Sequence, residues 1–279
     1  MSLADKQSLY AFSDDRIRMK AFRLLHMVAY RGNSRDFPEN TLAALRSALA
    51  LGARFIQIDV HLGADGIPVV THDRQHARLA NFEDLTAAQL AQLEVGELER
   101  FGARFPDARI ASLATTLGLL EGRPEITAFI VIGAACVRRF GREQVIAQVS
   151  RALKPVRSQC VLGCADLTTI HIARNVTGYP TAWVLPAYDA HTRLKYEALQ
   201  PDYLFCDRAY LPAGATLWRG PWRWVVYEVE TLEAALDLAA RGAHFVATKD
   251  VRALGEAMRT HAAADAVGRD STIVRGFTR

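Results

Sequence analysis

Residues 28–73 read VAYRGNSRDFPENTLAALRSALALGARFIQIDVHLGADGIPVVTHD, and this stretch decides the fold. An apolar strand ending at Tyr30 gives way to a polar loop. An amphipathic helix over residues 40–51 follows, with Leu42, Leu45 and Leu49 at helical spacing and Gly52 as its stop. The next strand, residues 55–60, alternates: Ile56, Ile58 and Val60 share one face, and Phe55, Gln57 and Asp59 share the other. An amide and an acid on one inward face are costly to bury without a purpose. Gly63 to Gly66 reads as a turn, and residues 67–72 return as a short strand running into His72-Asp73. Arg31, Glu39, Asn40, Gln57, Asp59, His72 and Asp73 thereby fall at element ends, where parallel-sheet proteins build their sites.

Downstream, strands alternate with helices. Strands are expected at residues 126–132, 159–162, 181–185, 203–206, 224–229 and 245–248. Helices are expected at 86–93, 113–120, 142–153, 167–175, 190–199, 232–241 and 251–258. That rhythm implies parallel strands joined by crossover helices. With 26–30 and 55–60 there are eight main strands, and 67–72 is an excursion after the second. The pattern is an α/β (βα)8 TIM barrel. An open doubly wound sheet is the runner-up, but no Gly-rich phosphate loop follows the first strand. Residues 1–25 read as a partly helical extension, with Phe12, Ile17, Phe22 and Leu25 forming an apolar stripe. The barrel takes residues 26–260 and a tail takes 261–279.

The 279 residues are 50% hydrophobic, enough for a large core, and a barrel of this kind uses about 250 residues as one domain. The net charge is +4 and the pI about 9.0. Acidic and basic residues are interspersed throughout, which describes a solvated surface and no nucleic-acid footprint. No apolar run reaches transmembrane length and the first residues lack a signal-peptide core, so a cytoplasmic location is expected. Cys136, Cys160, Cys164 and Cys206 show no CxxC pair. Cys160 and Cys164 would stand roughly 13 Å apart on one strand, too far to share a metal. Buried thiols are the expected state.

Five linked elements resemble the glycerophosphodiester phosphodiesterase family, whose motifs run H-R-G, P-E-N-T, E-x-D, D-G and H-D. The chain carries Tyr30-Arg31-Gly32, Pro38-Glu39-Asn40-Thr41, Gln57-Ile58-Asp59, Asp65-Gly66 and His72-Asp73 in the same order. The resemblance implies a TIM barrel that hydrolyses phosphoric diesters in glycerophospholipid metabolism, with a divalent metal (Ca or Mg) as cofactor. It assigns acid–base roles to His72 and to Tyr30, the latter in place of histidine. It assigns substrate contacts to Arg31, Glu39, Asn40 and Lys249, and the metal to Asp59 with Gln57 in place of glutamate. The third-strand E-x-K motif has no match: Val131 and Gly133 occupy its positions. The closing T-D is Thr248-Lys249.

These departures fall on the chemistry. A hard divalent cation wants several anionic oxygens, and one carboxylate plus an amide makes a weak site. Tyrosine, with an ordinary pKa near 10, can donate a proton at neutral pH but is a poor base. The expected function is therefore a family member with weak or lost metal-dependent hydrolysis, in effect a pseudoenzyme. The alternative is a non-catalytic barrel that binds an anionic small molecule or a protein partner at the ancestral mouth.

Several residues keep two readings. Arg31 either grips a phosphate or pairs with Asp59, Glu39 or Asp73. Asp59 and Gln57 either hold a residual metal or form a buried hydrogen-bond network. His72-Asp73 is either a catalytic remnant or a capping pair. Asn40 or Thr41 caps the following helix. Asp207 and Glu228, at the ends of the sixth and seventh strands, are candidate substitute ligands.

Overall fold

The described residues form ten strands: β1 (His26–Tyr30), β2 (Phe55–Leu62), β3 (Pro68–Val70), β4 (Ala111–Ser112), β5 (Thr127–Ile132), β6 (Cys160–Cys164), β7 (Thr181–Val184), β8 (Tyr203–Asp207), β9 (Arg223–Tyr227) and β10 (Phe245–Thr248). All are seen in a computed structural model that describes residues 21–72 and 82–275, the side chains of 83 and 266–275 excepted. Eight strands run parallel, and β1 pairs with both β2 and β10, closing the sheet into the TIM barrel. The excursion is a small antiparallel annex in which β3 pairs with β2 and β4 with β3. Among the described residues no helix is long and apolar enough to cross a membrane.

Strand alternation sorts side chains into two layers. Ile56, Ile58, Val60, Ile130 and Leu162 pack outward against the helices. Val28, Phe129, Val161, Phe205, Val225 and Phe245 fill the barrel itself. The Phe55, Phe129 and Phe245 rings meet edge to face inside, with centroids 5.0–6.0 Å apart. Each buried ring contributes on the order of 1.5–3 kcal/mol relative to its exposed state. The interior below the mouth is thus a packed core, so any cavity must open above it.

The expected strands and most helices are present with bounds shifted by a few residues. The helix expected at 40–51 spans Leu42–Ala50, and Thr41 is its cap, accepting a hydrogen bond from the Ala44 amide at 3.2 Å. The helix expected at 86–93 is a single turn, Ala87–Leu90, closed by a Thr86–Gln89 capping box. The one expected at 113–120 stops at Leu117. A helix at Ala134–Phe140 was not anticipated. The last helix, Val251–Arg275, runs past the expected end at 258 and past residue 260. Phe22 and Leu25 are buried, in the cluster that also holds Trp224 and Leu238. Residues 1–20, with Phe12 and Ile17, and residues 73–81, with Asp73, lie outside the described residues, as do the final four.

Candidate functional site

The mouth of the barrel is a cavity of about 240 Å³ at the C-terminal ends of the strands. Tyr30, Gln57, Asp59, His61, Val131, Ile132, Val184, Phe205 and Tyr227 line it from six strands, with Arg31, His72, Gly133 and Ala165 from the following loops and Ala134 from the helix after β5. The alternation that turns Gln57 and Asp59 inward also turns His61 inward. In the parallel register Asp59 lies beside Val131, so the third-strand position expected to carry a carboxylate holds an alkyl group against the one acid that remains.

The loop after β1 is bent to place Arg31. Arg31 and Asn40 adopt φ of 59° and 60°, and Glu228 across the mouth adopts 61°. Such left-handed conformations cost a non-glycine residue about 1–3 kcal/mol and cluster at functional sites. Gly32, at φ 84°, passes so close to the following helix that a Cβ there would sit 2.6 Å from the Ala44 carbonyl carbon. From the annex, Glu97 accepts the Glu39 amide at 2.6 Å, and Arg100 donates to the Ser34 carbonyl at 2.6 Å, pinning the loop.

Asp59 is the hub. Gln57 Nε2 donates to its Oδ1 at 2.8 Å, and Asn40 Nδ2 donates to its Oδ2 at 3.0 Å. The Asp59 amide returns a hydrogen bond to Asn40 Oδ1 at 3.1 Å. Arg31 Nε lies 2.6 Å from Oδ2 as an ion pair, although its N–H is not aimed along the contact. Arg31 Nη1 donates to Glu39 Oε2 at 2.7 Å and Nη2 to the Tyr30 hydroxyl at 3.2 Å. The guanidinium also stands 4.7 Å from the Tyr30 ring centre. Burial opposes this guanidinium's charge, but Asp59, Tyr30 and Glu39 outweigh it and hold its pKa above the ordinary value. Both the Asp59–Gln57 network and the Arg31 ion pairs considered for the sequence are therefore present.

This donor set does not fit a divalent cation. Both Asp59 oxygens already accept hydrogen bonds and a guanidinium charge stands 2.6 Å away. Gln57 offers one neutral oxygen and Val131 none. Among the described residues no group of three His, Cys, Asp or Glu side chains is arranged to hold a metal.

The other expected contacts are distributed differently. Asn40 is 2% exposed and spends its amide on Asp59, so it supports the acid and does not face the cavity. Glu39 is not among the cavity residues, and its carboxylate pairs with Arg31 Nη1 at 2.7 Å. Lys249 is not a cavity residue, because its ammonium pairs with Glu228 at 2.8 Å. That pairing also removes Glu228 as a substitute ligand. Asp207 accepts the Ala209 amide at 2.8 Å and caps the next turn. His72 does line the cavity.

Two cavity residues, Tyr227 and His61, were not anticipated. Tyr227 stacks on Tyr30 with centroids 5.6 Å apart and planes 4° from parallel. His61 lies over Gly133, where a Cβ would come within 2.2 Å of its Nε2. The imidazole thus occupies space that a side chain at position 133 would need, and one further step of the β2 alternation, from Asp59 to position 61, would have found it.

Burial first, then Asp59, Glu228 and Glu39, push the Tyr30 hydroxyl well above the ordinary tyrosine range against the opposing pull of Arg31. Burial and Tyr30 do the same for Tyr227. Both hydroxyls stay protonated at neutral pH, so Tyr30 is a donor and not a base. A raised folded-state pKa contributes stability that is complete below the unfolded value, near 10, and is lost as pH rises beyond it. Stability measured by urea unfolding should therefore fall steeply above about pH 10, and Tyr30→Phe should flatten that fall. An unchanged slope in Tyr30→Phe would show that the hydroxyl is not the responsible group.

Comparison with known proteins agrees with this architecture. The model of the glycerophosphoryl diester phosphodiesterase family matches residues 30–127. The chain is 40% identical over 90 residues to glycerophosphodiester phosphodiesterase 1 of Rattus norvegicus, covering 31% of this chain and 27% of that protein. It is 39% identical over 98 residues to a glycerophosphodiester phosphodiesterase of Caldanaerobacter subterraneus subsp. tengcongensis, covering 34% and 40%. The matched chain thus spans well under half the length of these curated relatives. Among solved structures, an Oleispira antarctica phosphodiesterase in complex with the product sn-glycerol-3-phosphate superposes with a TM-score of 0.70 at 19% identity, over 84% of this chain and 96% of that one. A glycerophosphodiester phosphodiesterase of Agrobacterium tumefaciens gives 0.63 at 20% identity, over 81% and 98%. At these identities the likeness is one of fold.

Proposed function

We propose that the chain is a member of the glycerophosphodiester phosphodiesterase family, whose model matches residues 30–127, and that it binds a small phosphate ester at the barrel mouth without metal-dependent hydrolysis. The observation that carries this reading is the engagement of both Asp59 oxygens by Gln57 and Asn40, with the Arg31 guanidinium balancing the charge. A cation would have to evict a guanidinium and break two amide hydrogen bonds to reach a single carboxylate. Ligand binding asks for less. The Glu39 side chain is 16% exposed, so its contact with Arg31 Nη1 is the exchangeable one. A phosphate oxygen takes that place through a charge-assisted bond of the same kind. His72 and the Tyr30 hydroxyl face the same space.

The test measures release of glycerol 3-phosphate from glycerophosphodiesters with Ca²⁺, with Mg²⁺ and with chelator, beside calorimetric titration of glycerol 3-phosphate into the protein. Binding that is insensitive to chelator, with no metal-stimulated turnover, is the expected result. Robust turnover that rises with either cation would overturn the reading.

A further inference from the structure

The base of the barrel carries a groove that the chemistry of the mouth does not use. It lies at the N-terminal ends of β2 and β5, between the last turn of the helix Leu42–Ala50 and residues 119–126, and has a volume of about 590 Å³. Arg54 precedes Asp59 by five residues, so at the rise of a strand the groove sits roughly 16 Å from the mouth. Its walls are fixed. The Thr127 amide donates to the Arg54 carbonyl at 2.8 Å. Buried Gln159 donates from Nε2 to the Arg123 carbonyl at 2.7 Å and to the Ile126 carbonyl at 3.2 Å.

Arg46, Arg54 and Arg123 line this groove and are exposed. Among the described residues none of these three side chains makes a hydrogen bond or an ion pair, whereas Arg142, Arg193 and Arg241 each hold a carboxylate within 3.1 Å. Glu125 is the acid of the groove, and it too enters no ion pair. Three guanidiniums and one carboxylate leave a charge of +2. The floor between them is hydrocarbon, from half-buried Leu49 and Leu119 and exposed Ala50. Gly52 keeps it open, since a Cβ there would meet nothing within 4 Å beyond its chain neighbours.

This charge and this floor describe one ligand chemistry. Guanidiniums take phosphate oxygens through paired N–H donors. A phosphate monoester carries close to two negative charges above its second pKa, near 6, and a carboxylate only one. An alkyl chain on that ester covers the floor. The concave shape selects the source. A lipid in a bilayer keeps its chain among other lipids and offers its head to a flat surface, but a dissolved molecule can lay its chain along the groove. The volume falls within the roughly 300–1,000 Å³ of small-molecule sites.

We infer that the groove is a second binding site, which takes one soluble alkyl phosphate monoester with its head on Arg46, Arg54 and Arg123 and its chain on Leu49, Ala50 and Leu119. It is independent of what the mouth binds.

The probe is octyl phosphate at about pH 8, where it is a dianion, kept below its micelle-forming concentration. It is titrated calorimetrically into the full chain beside inorganic phosphate and octanoate. Octyl phosphate should bind more tightly than octanoate. It should exceed inorganic phosphate by at least about tenfold, the factor that about two buried methylenes supply. Arg54→Gln/Arg123→Gln should weaken its binding by about tenfold or more. Ala50→Trp, which fills the floor, should remove the advantage over inorganic phosphate and leave inorganic phosphate binding unchanged. Affinity that survives Arg54→Gln/Arg123→Gln would place the ligand elsewhere, the mouth included, and overturn the inference. Equal affinity for inorganic phosphate or for octanoate would do the same, as would no binding of octyl phosphate. Capture of the chain by phosphatidylglycerol vesicles without binding of dissolved octyl phosphate would make the arginines a membrane contact and equally overturn it.

Discussion

Arg31→Met is expected to destabilise the protein by about 3–5 kcal/mol, the usual cost of removing one partner from a buried ion pair. Asp59 is 6% exposed and its charge is balanced by this guanidinium 2.6 Å away. Gln57 and Asn40 would still donate to the carboxylate, but amide dipoles do not neutralise it. The strained φ of 59° at this position is not the source of the loss, because methionine would bear the same strain as arginine. The double variant Arg31→Met/Asp59→Asn separates charge from packing. With no carboxylate left uncompensated, it should be more stable than Arg31→Met alone. Urea unfolding followed by circular dichroism measures all three proteins. A loss below about 1 kcal/mol in Arg31→Met, the range of exposed pairs, would mean that solvent already compensates Asp59.

The barrel was legible because its signals are periodic and local. Alternation in residues 55–60 separated Ile56 and Ile58 from Gln57 and Asp59, and the register bears that division out. The helices of the annex were less legible. Their apolar residues, Phe82, Leu90 and Ile110, serve a small separate cluster with Val69. Single turns such as Ala87–Leu90 are too short to show helical periodicity.

The site was legible in its membership and obscure in its wiring. Tyr30, Gln57, Asp59 and His72 stand together at the mouth as the motifs implied. Asn40 turned out to support Asp59 because its reach depends on a left-handed backbone, a tertiary fact that the P-E-N-T string does not carry. Lys249 stands apart from the cavity for a similar reason. The strand end is right, but Glu228 on the neighbouring strand's loop captures the ammonium. Tyr227 carries no motif, and its stacking on Tyr30 depends on β9 lying near β1 around the barrel.

The triple variant Tyr30→His/Gln57→Glu/Val131→Glu should become a protein whose stability depends on a cation. It places two more carboxylates on the face that holds Asp59, one beside it in register and one two residues earlier on the same strand. Arg31 cannot balance three of them, so in chelator the variant should be several kcal/mol less stable than the unsubstituted protein through repulsion and desolvation. Ca²⁺ at about 100–1,000 times its dissociation constant returns roughly 2.7–4.1 kcal/mol by mass action. For a chain of this size that corresponds to a rise in Tm of about 5–15 °C. The unsubstituted protein should shift by no more than about 1 °C under the same conditions, since mass action gives nothing without a site. A comparable rise in the unsubstituted protein would mean that Asp59 already accepts a cation and would sink the metal-free reading. No rise in the triple variant would mean that these three positions do not suffice to build a cation site, and would direct attention to His61, whose ring fills the space above Gly133.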